Sequence, residues 1–250
     1  MTQHILVTGA SSGIGAAIAR HLDRPENRLS IGARRMDKLA EVSERAYRAR
    51  LDVTDEASVE AFLEGATAAN GPIDVLVNNA GLARGTEQIS EATGEAWREM
   101  IETNVMGVLH LTRRVLPSMI DRGCGHLVMI GSIAGHESYE GASVYCASKR
   151  ALQSIAKSLR LELHGSGVRV TLIDPGLTHT EFSLVRFSGD SKKAAKPYEN
   201  TRAMSPDDIA ECVGFALSRP AHVNIDSMVV LATDQIGPTR IHRNSAQEAN

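Results

Sequence analysis

Seven short apolar runs punctuate the chain, each closed by turn residues: "HILVTG" from 4, "RLSIGA" from 28, "RARLDV" from 48, "DVLVNNAG" from 74, "HLVMIGS" from 126, "VRVTLIDPG" from 168 and "SMVVLA" from 227. Their apolar positions are consecutive and not alternate, which suits strands covered on both faces. Between them stand segments of helical spacing at 15–22, 58–69, 95–122, 142–164 and 206–218. Strand and helix alternating in this way restrict the chain to a parallel sheet joined by right-handed crossovers. The expected fold is a doubly wound, Rossmann-type α/β domain, seven parallel strands with helices on both faces. With 250 residues the chain suffices for one such core, and no repeat, linker or low-complexity tract divides it, so 1–250 reads as a single domain. Residues 177–205 are the exception. They carry no strand signal and are rich in polar and small residues, as expected of a loop that serves as a lid or binding segment. "SPDD" predicts a helix start, with Ser205 as cap and Pro206 in the first turn.

The first run leads into "TGASSGIG", whose glycines fall at Gly9, Gly13 and Gly15, a G-x-x-x-G-x-G spacing in place of the common G-x-G-x-x-G. In doubly wound sheets, ligands bind at the carboxyl ends of the strands, and the first strand-to-helix turn is the usual phosphate seat. Gly9 allows a sharp exit from the strand, Gly13 lets a pyrophosphate approach the backbone beside Ile14, and Gly15 permits close packing of helix on strand. Ser11 and Ser12 add hydroxyl donors.

Composition narrows the partners. A net charge of −3, with Lys and Arg interleaved with Asp and Glu, offers no basic stripe for nucleic acid. No apolar run approaches the ~20 residues that span a bilayer, and a strand already begins near residue 4, so neither membrane nor secretion is expected and the location reads as cytoplasmic. Cys124, Cys146 and Cys212 share no paired spacing, and the nine histidines show no ligand motif, so neither disulfide nor metal is expected.

"TGASSGIG", "NNAG" at 78–81, a serine at 132 after a strand, and Tyr145-Cys-Ala-Ser-Lys149 stand in an order that resembles the classical short-chain dehydrogenases/reductases, from residue 4 to about 235. The resemblance implies a nicotinamide dinucleotide in the cleft. "NNAG" would stabilise the central strand, with Asn79, Ala80 and Gly81 lining the adenosine side and Asp52 and Val53 near the adenine. Pro175 and Gly176 match the family's Pro-Gly pair and, with Thr178, are implied to bind the cofactor, while Thr180 would reach the nicotinamide carboxamide. Asn104 corresponds to a residue that holds a water for a proton relay. Arg34 and Arg35 stand at the end of the second run, where an NAD-preferring enzyme places an acid for the ribose hydroxyls. Guanidinium groups there would pair with a 2′-phosphate, so NADP(H) is the expected cofactor, with Arg34 the first candidate and Arg35 the second. Lys38 reads as a solvated residue of a helix's first turn.

Tyr145 and Lys149, four residues apart on one helical face, can meet the same ligand. A phenol titrates near 10, too high for a base at neutral pH. Lys149 is expected to lower it while binding the nicotinamide ribose. Ser132 would hydrogen-bond the substrate oxygen where charge changes.

"GVRVTLIDPGLTHTEFSLVRFSGD", "PYENT", "SPDDIAE" and "RPAHVNID" resemble the subgroup of NADP-dependent 3-hydroxy acid and serine dehydrogenases and sulfoacetaldehyde reductases. The implied activity is hydride transfer between NADP(H) and a small polar hydroxy acid or its carbonyl form, in a homodimer or homotetramer. A broad reductase of bulkier neutral ketones is the alternative enzyme, and an NADP(H)-sensing regulator the non-catalytic one. "HESYEGASVYCASK" departs from the aromatic, glycine-rich approach to the tyrosine expected of that subgroup, which points to an altered pocket. For the substrate, Arg186 in "LVRF" is expected either to clamp an anion or to pair with Glu181 or Asp190. His136 and Arg240 are weaker candidates. The polar tail 236–250 either contacts a neighbouring subunit, as in the subgroup, or frays after about Arg243.

Overall fold

A computed structural model of the chain describes residues 2–244. All seven runs form strands: β1 (Gln3–Thr8), β2 (Asn27–Ala33), β3 (Tyr47–Arg50), β4 (Val75–Asn78), β5 (Gly125–Ile130), β6 (Val168–Pro175) and β7 (Ser227–Val230). They pair in parallel in the order β3-β2-β1-β4-β5-β6-β7. The order reverses between β1 and β4, which opens a crevice at their carboxyl ends.

Along β1, Ile5 and Val7 point to one face and Leu6 to the other, and all three are buried. The same division holds in β5, with Val128 and Ile130 opposite Leu127 and Met129. Helices α1 (Gly13–Leu22) and α9 (Pro206–Leu217) cover the first face. The other is covered by α3 (Glu56–Asn70), α5 (Gly107–Asp121) and α6 (Ser143–Glu162). Two covered faces are the physical reason for the unbroken apolar runs. Ser205 caps α9 as expected: its hydroxyl accepts the Asp208 N–H, and Asp208 Oδ2 accepts the Ser205 N–H at 2.7 Å.

The structure departs from the sequence reading in several places. The third strand ends at Arg50, and Leu51–Val53 leave the sheet to border the crevice. A short helix, α2 (Met36–Ala40), follows β2. The segment 95–122 is not one regular helix: α4 (Gly94–Ile101) and α5 are joined by a wide π turn over Glu102–Met106. Residues 177–205 are not plain loop either, for they hold α7 (Phe182–Arg186), α8 (Ser191–Ala195) and a 3₁₀ turn at Lys196–Tyr198. The tail as far as Asn244 folds over its own chain. Asn244 N–H donates to Asn200 O at 2.8 Å, and Arg243 donates to the carbonyl of Glu199. Residues 245–250 of the expected tail lie outside the described residues. No described helix is long and apolar enough to cross a membrane.

Candidate active site

The carboxyl ends of the strands and the 177–205 segment enclose a cleft of about 980 Å³. Its floor is the glycine turn. Gly9 has φ +65°, and a Cβ there would stand 2.9 Å from Ala80 Cα. A Cβ on Gly15 would stand 2.3 Å from Asn79 Nδ2. That amide donates to Thr8 O at 2.8 Å, while Thr8 Oγ1 accepts the N–H groups of Asn79 and Ala80 at 3.0 Å. "NNAG" and the glycine turn are therefore interlocked, and the glycine spacing is what leaves room for the Asn79 side chain. Asn78 donates to Thr112 Oγ1 on α5, which ties β4 to its covering helix. Helix α1 has no side-chain cap on its first N–H groups and no acid in its first turn. Its free donors and positive dipole end suit a pyrophosphate.

All the residues expected to bind the cofactor line this cleft: Gly9, Ser11, Ser12, Gly13, Ile14, Gly15, Arg34, Arg35, Asp52, Val53, Asn79, Ala80, Gly81, Tyr145, Lys149, Pro175, Gly176, Thr178 and Thr180. At its β2 end the two arginines differ. Arg34 is exposed, its charge acting on Asp52. Burial raises the Asp52 carboxyl, but hydrogen bonds from Thr54 and the charges of Arg34 and Arg50 outweigh it and hold it below its usual value. Arg35 lies across the glycine turn, donating to Ser12 Oγ at 2.6 Å, to Ser11 Oγ at 3.2 Å and to Glu181 Oε2 at 2.9 Å. Lys38, expected to be a solvated bystander, donates to Glu181 Oε1 at 2.7 Å.

At the other end stand Ser132, Tyr145 and Lys149, delivered by the end of β5 and the first two turns of α6. Lys149 is buried, and its Nζ donates to Ile130 O at 3.0 Å. Burial pulls its pKa down to about 8, against the charge of Asp174. Burial likewise pushes the Tyr145 phenol well above its ordinary value, while the Ser132 hydroxyl and the Arg186 guanidinium pull it partly back. A positive charge bearing on the phenol is that of Arg186, whose guanidinium lies over its ring. Asn104 sits in the π turn, buried. Its amide donates to Leu82 O and Ser148 Oγ, and its Oδ1 accepts the Leu82 N–H. Both amide donors are thus committed to protein, so its side chain braces Leu82 against α6. A Cβ on Gly81 would stand 3.2 Å from Asn104 Oδ1 and 3.4 Å from Lys149 Nζ, which puts these groups around one point.

Sequence reasoning missed Asp174. Fully buried at the end of β6, it accepts the Ser132 N–H at 2.9 Å and faces His136 Nε2 at 2.7 Å. A carboxylate inside an apolar run was the available signal. His136 is accordingly spent on Asp174 and does not line the cleft, and Arg240 pairs with Glu137, so neither weaker substrate candidate reaches the site.

Arg186 does line it. Its guanidinium carbon lies 5.8 Å from the Tyr145 ring centroid and 5.6 Å from that of Tyr139, and it donates to Tyr139 Oη and Gly85 O, each at 2.9 Å. The expected alternative fails, since Glu181 pairs with Arg35 and Lys38, and Asp190 with Lys193. Among the described residues Arg186 makes no ion pair. Arg84, also missed, grips Glu99 at 2.6 and 2.7 Å and donates to Val185 O at 2.8 Å. Together with Gly85 N–H on Arg186 O, it holds α7 over the cleft.

Residues 3–189 match the family model described as short chain dehydrogenase. The chain is 44% identical to NADP-dependent 3-hydroxy acid dehydrogenase YdfG of Salmonella typhi, over 96% of this chain and 99% of that protein. It is 38% identical to sulfoacetaldehyde reductase 2 of Chromohalobacter salexigens, over 94% and 96% respectively. Among solved structures it is similar to the closed form of serine dehydrogenase complexed with NADP⁺, at 42% identity and a TM-score of 0.91, covering 97% of this chain and all of that one.

Proposed function

Because the chain belongs to the short-chain dehydrogenase family, we propose that it is an NADP(H)-dependent oxidoreductase acting on a small polar hydroxy acid or the corresponding carbonyl compound. The cofactor assignment is supported by the NADP-dependent relatives and by the free N-terminal donors of α1, with Arg34 and Arg35 at the ribose end. When bound, the nicotinamide supplies or accepts the hydride. The chain's own residues do the rest. In reduction, Tyr145 passes its phenolic proton to the carbonyl oxygen and is reprotonated from solvent. Burial keeps the phenol in its protonated form. The Ser132 hydroxyl hydrogen-bonds the same oxygen as its charge grows, its own backbone fixed by Asp174. Lys149, held by Ile130 O, gives a positive charge to the ribose side of the site. Asn104 acts as a positioning residue through Leu82 and Ser148.

The observation that carries the substrate class is Arg186: a half-buried guanidinium beside the Tyr145 ring, without a carboxylate partner among the described residues. A carboxylate or sulfonate of the substrate would complete it. Charge-assisted hydrogen bonds of this kind contribute roughly 1.5–3 kcal/mol, or about one to two decades in kcat/KM. The test compares a 3-hydroxy carboxylate, serine, a hydroxy sulfonate and a neutral alcohol of the same size, in wild type and in Arg186→Ala. Anion preference should be present in wild type and lost in the variant. Equal activity on the neutral alcohol would favour the second reading, a broad carbonyl reductase, which the apolar cleft residues Phe182, Leu184 and Phe187 support.

A further inference from the structure

One carboxylate ties the two walls of the cofactor cleft together at its β2 end. Glu181 follows β6 and opens the segment that closes the site, whereas Arg35 and Lys38 follow β2 on the far side of the glycine turn. Glu181 Oε2 stands 2.9 Å from Arg35 Nη1, and its Oε1 stands 2.7 Å from Lys38 Nζ. Each carboxylate oxygen thus takes one cation, and Arg35 is steadied from below by Ser11 and Ser12. We propose that Glu181 is a tethered competitor for the seat of the cofactor's 2′-phosphate, so that NADP(H) must displace this carboxylate from Arg35 and Lys38, whereas NAD(H) need not.

The inference rests on the reading that the cleft holds NADP(H). A carboxylate and a phosphate monoester make the same demand on a guanidinium and an ammonium: two or more anionic oxygens at charge-assisted distance. The end of β2, where the chain turns into α2, is where doubly wound sheets recognise the substituent at ribose O2′. The Lys38 hydrogen bond, the largest influence, opposes burial and, together with the Arg35 hydrogen bond and the two positive charges, holds the Glu181 carboxyl down to about 2, so it is charged at any working pH. All three side chains are more than a third exposed, so the pairing is screened and yields to a dianion. Only the 2′-phosphate contests this seat, so the tether bears on NADP(H) and leaves the rest of the nucleotide untouched. It also ties cofactor capture to the closing segment, because the competitor belongs to that segment.

Calorimetric titration of 2′,5′-ADP, 5′-AMP, NADP⁺ and NAD⁺ into wild type and Glu181→Gln, at low salt, tests this without turnover. Glu181→Gln should tighten 2′,5′-ADP and NADP⁺ by about three- to tenfold, the range expected for losing one or two exposed ion pairs, and leave 5′-AMP and NAD⁺ within about twofold. Equal shifts for all four ligands would overturn the proposal. So would weaker NADP⁺ binding in the variant, since that would make Glu181 an organiser of the two cations. Failure of the cofactor reading looks different: wild type would then bind 2′,5′-ADP no more tightly than 5′-AMP, and Arg35→Ala would leave their ratio unchanged. That result also overturns the inference.

Discussion

The carboxylate of Asp174 fills the space that a side chain on Gly131 would need: a Cβ there would stand 1.8 Å from Asp174 Oδ1. Glycine at the end of β5 therefore lets the adjacent strand bring a buried charge behind Ser132 and Lys149. Asp174→Asn keeps the size and removes the charge that supports the Lys149 ammonium. The kcat/KM for carbonyl reduction should fall above about pH 8 as Lys149 loses its proton, and in Asp174→Asn that descending limb should move to lower pH. An unmoved limb would assign it to another group. Gly131→Ala should damage kcat at every pH, because it displaces the carboxylate itself.

Proton transfer should be separable from nucleotide binding. Tyr145→Phe deletes the hydroxyl and nothing of the glycine turn, so turnover should fall by about 10²–10⁴-fold while NADPH affinity stays near wild type. Lys149→Ala should impair both. Substantial activity in Tyr145→Phe, measured in single-turnover reduction, would refute the proton-transfer role.

Cofactor discrimination should reside in both arginines after β2. Arg35→Ala and Arg34→Ala should each lower the ratio of kcat/KM for NADP⁺ over NAD⁺, by about one to two decades for a lost charge-assisted contact. A ratio unchanged in both would place the 2′-phosphate elsewhere.

Acid should weaken the fold at the amino ends of the strands. Thr171 donates its hydroxyl hydrogen to Ile225 O, so His126 Nε2 must be the donor to Thr171, leaving a buried Nδ1 without a partner. Burial, with the nearby Arg169 charge, pulls the His126 pKa down to about 3. The unfolded chain takes up this proton near pH 6.5, so stability is full above that value and is lost as pH falls toward 3. Roughly 2 kcal/mol should be gone by pH 5, and less in His126→Gln. Burial also lowers His4, which adds in the same direction. Urea unfolding at pH 7 and pH 5 measures the difference.

The parallel sheet was legible because both faces of β1, β4 and β5 are covered, and covered strands write continuous apolar runs. The short helices over the cleft were not, since α7 and α8 are each five residues long and show no full helical period. The glycine turn, Ser132, Tyr145 and Lys149 are legible because each lies in a short local motif, although the partners that fix them, Asn79 for the turn and Asp174 for Ser132, are distant in the chain. Arg186 could be noticed but not placed, because its carbonyl partner Gly85 is 101 residues away. Similarly, helical spacing puts Lys149 near Tyr145 but does not reveal that its Nζ is held by the Ile130 carbonyl or that the Arg186 guanidinium lies over the phenol ring.

The π turn at Glu102–Met106 acts as a phase shift in a helix that otherwise runs from Gly94 to Asp121. One residue more than an α turn rotates everything downstream by about 100° relative to an unbroken helix. Upstream of it, Met100 faces the cluster that includes Tyr145. Downstream, Val108, Leu111 and Val115 face the core beneath the sheet. A chain shorter by one residue here could align one of these stripes but not both, and Asn104 would lose either Leu82 or Ser148. That supernumerary residue is thus the joint by which one rod serves two surfaces.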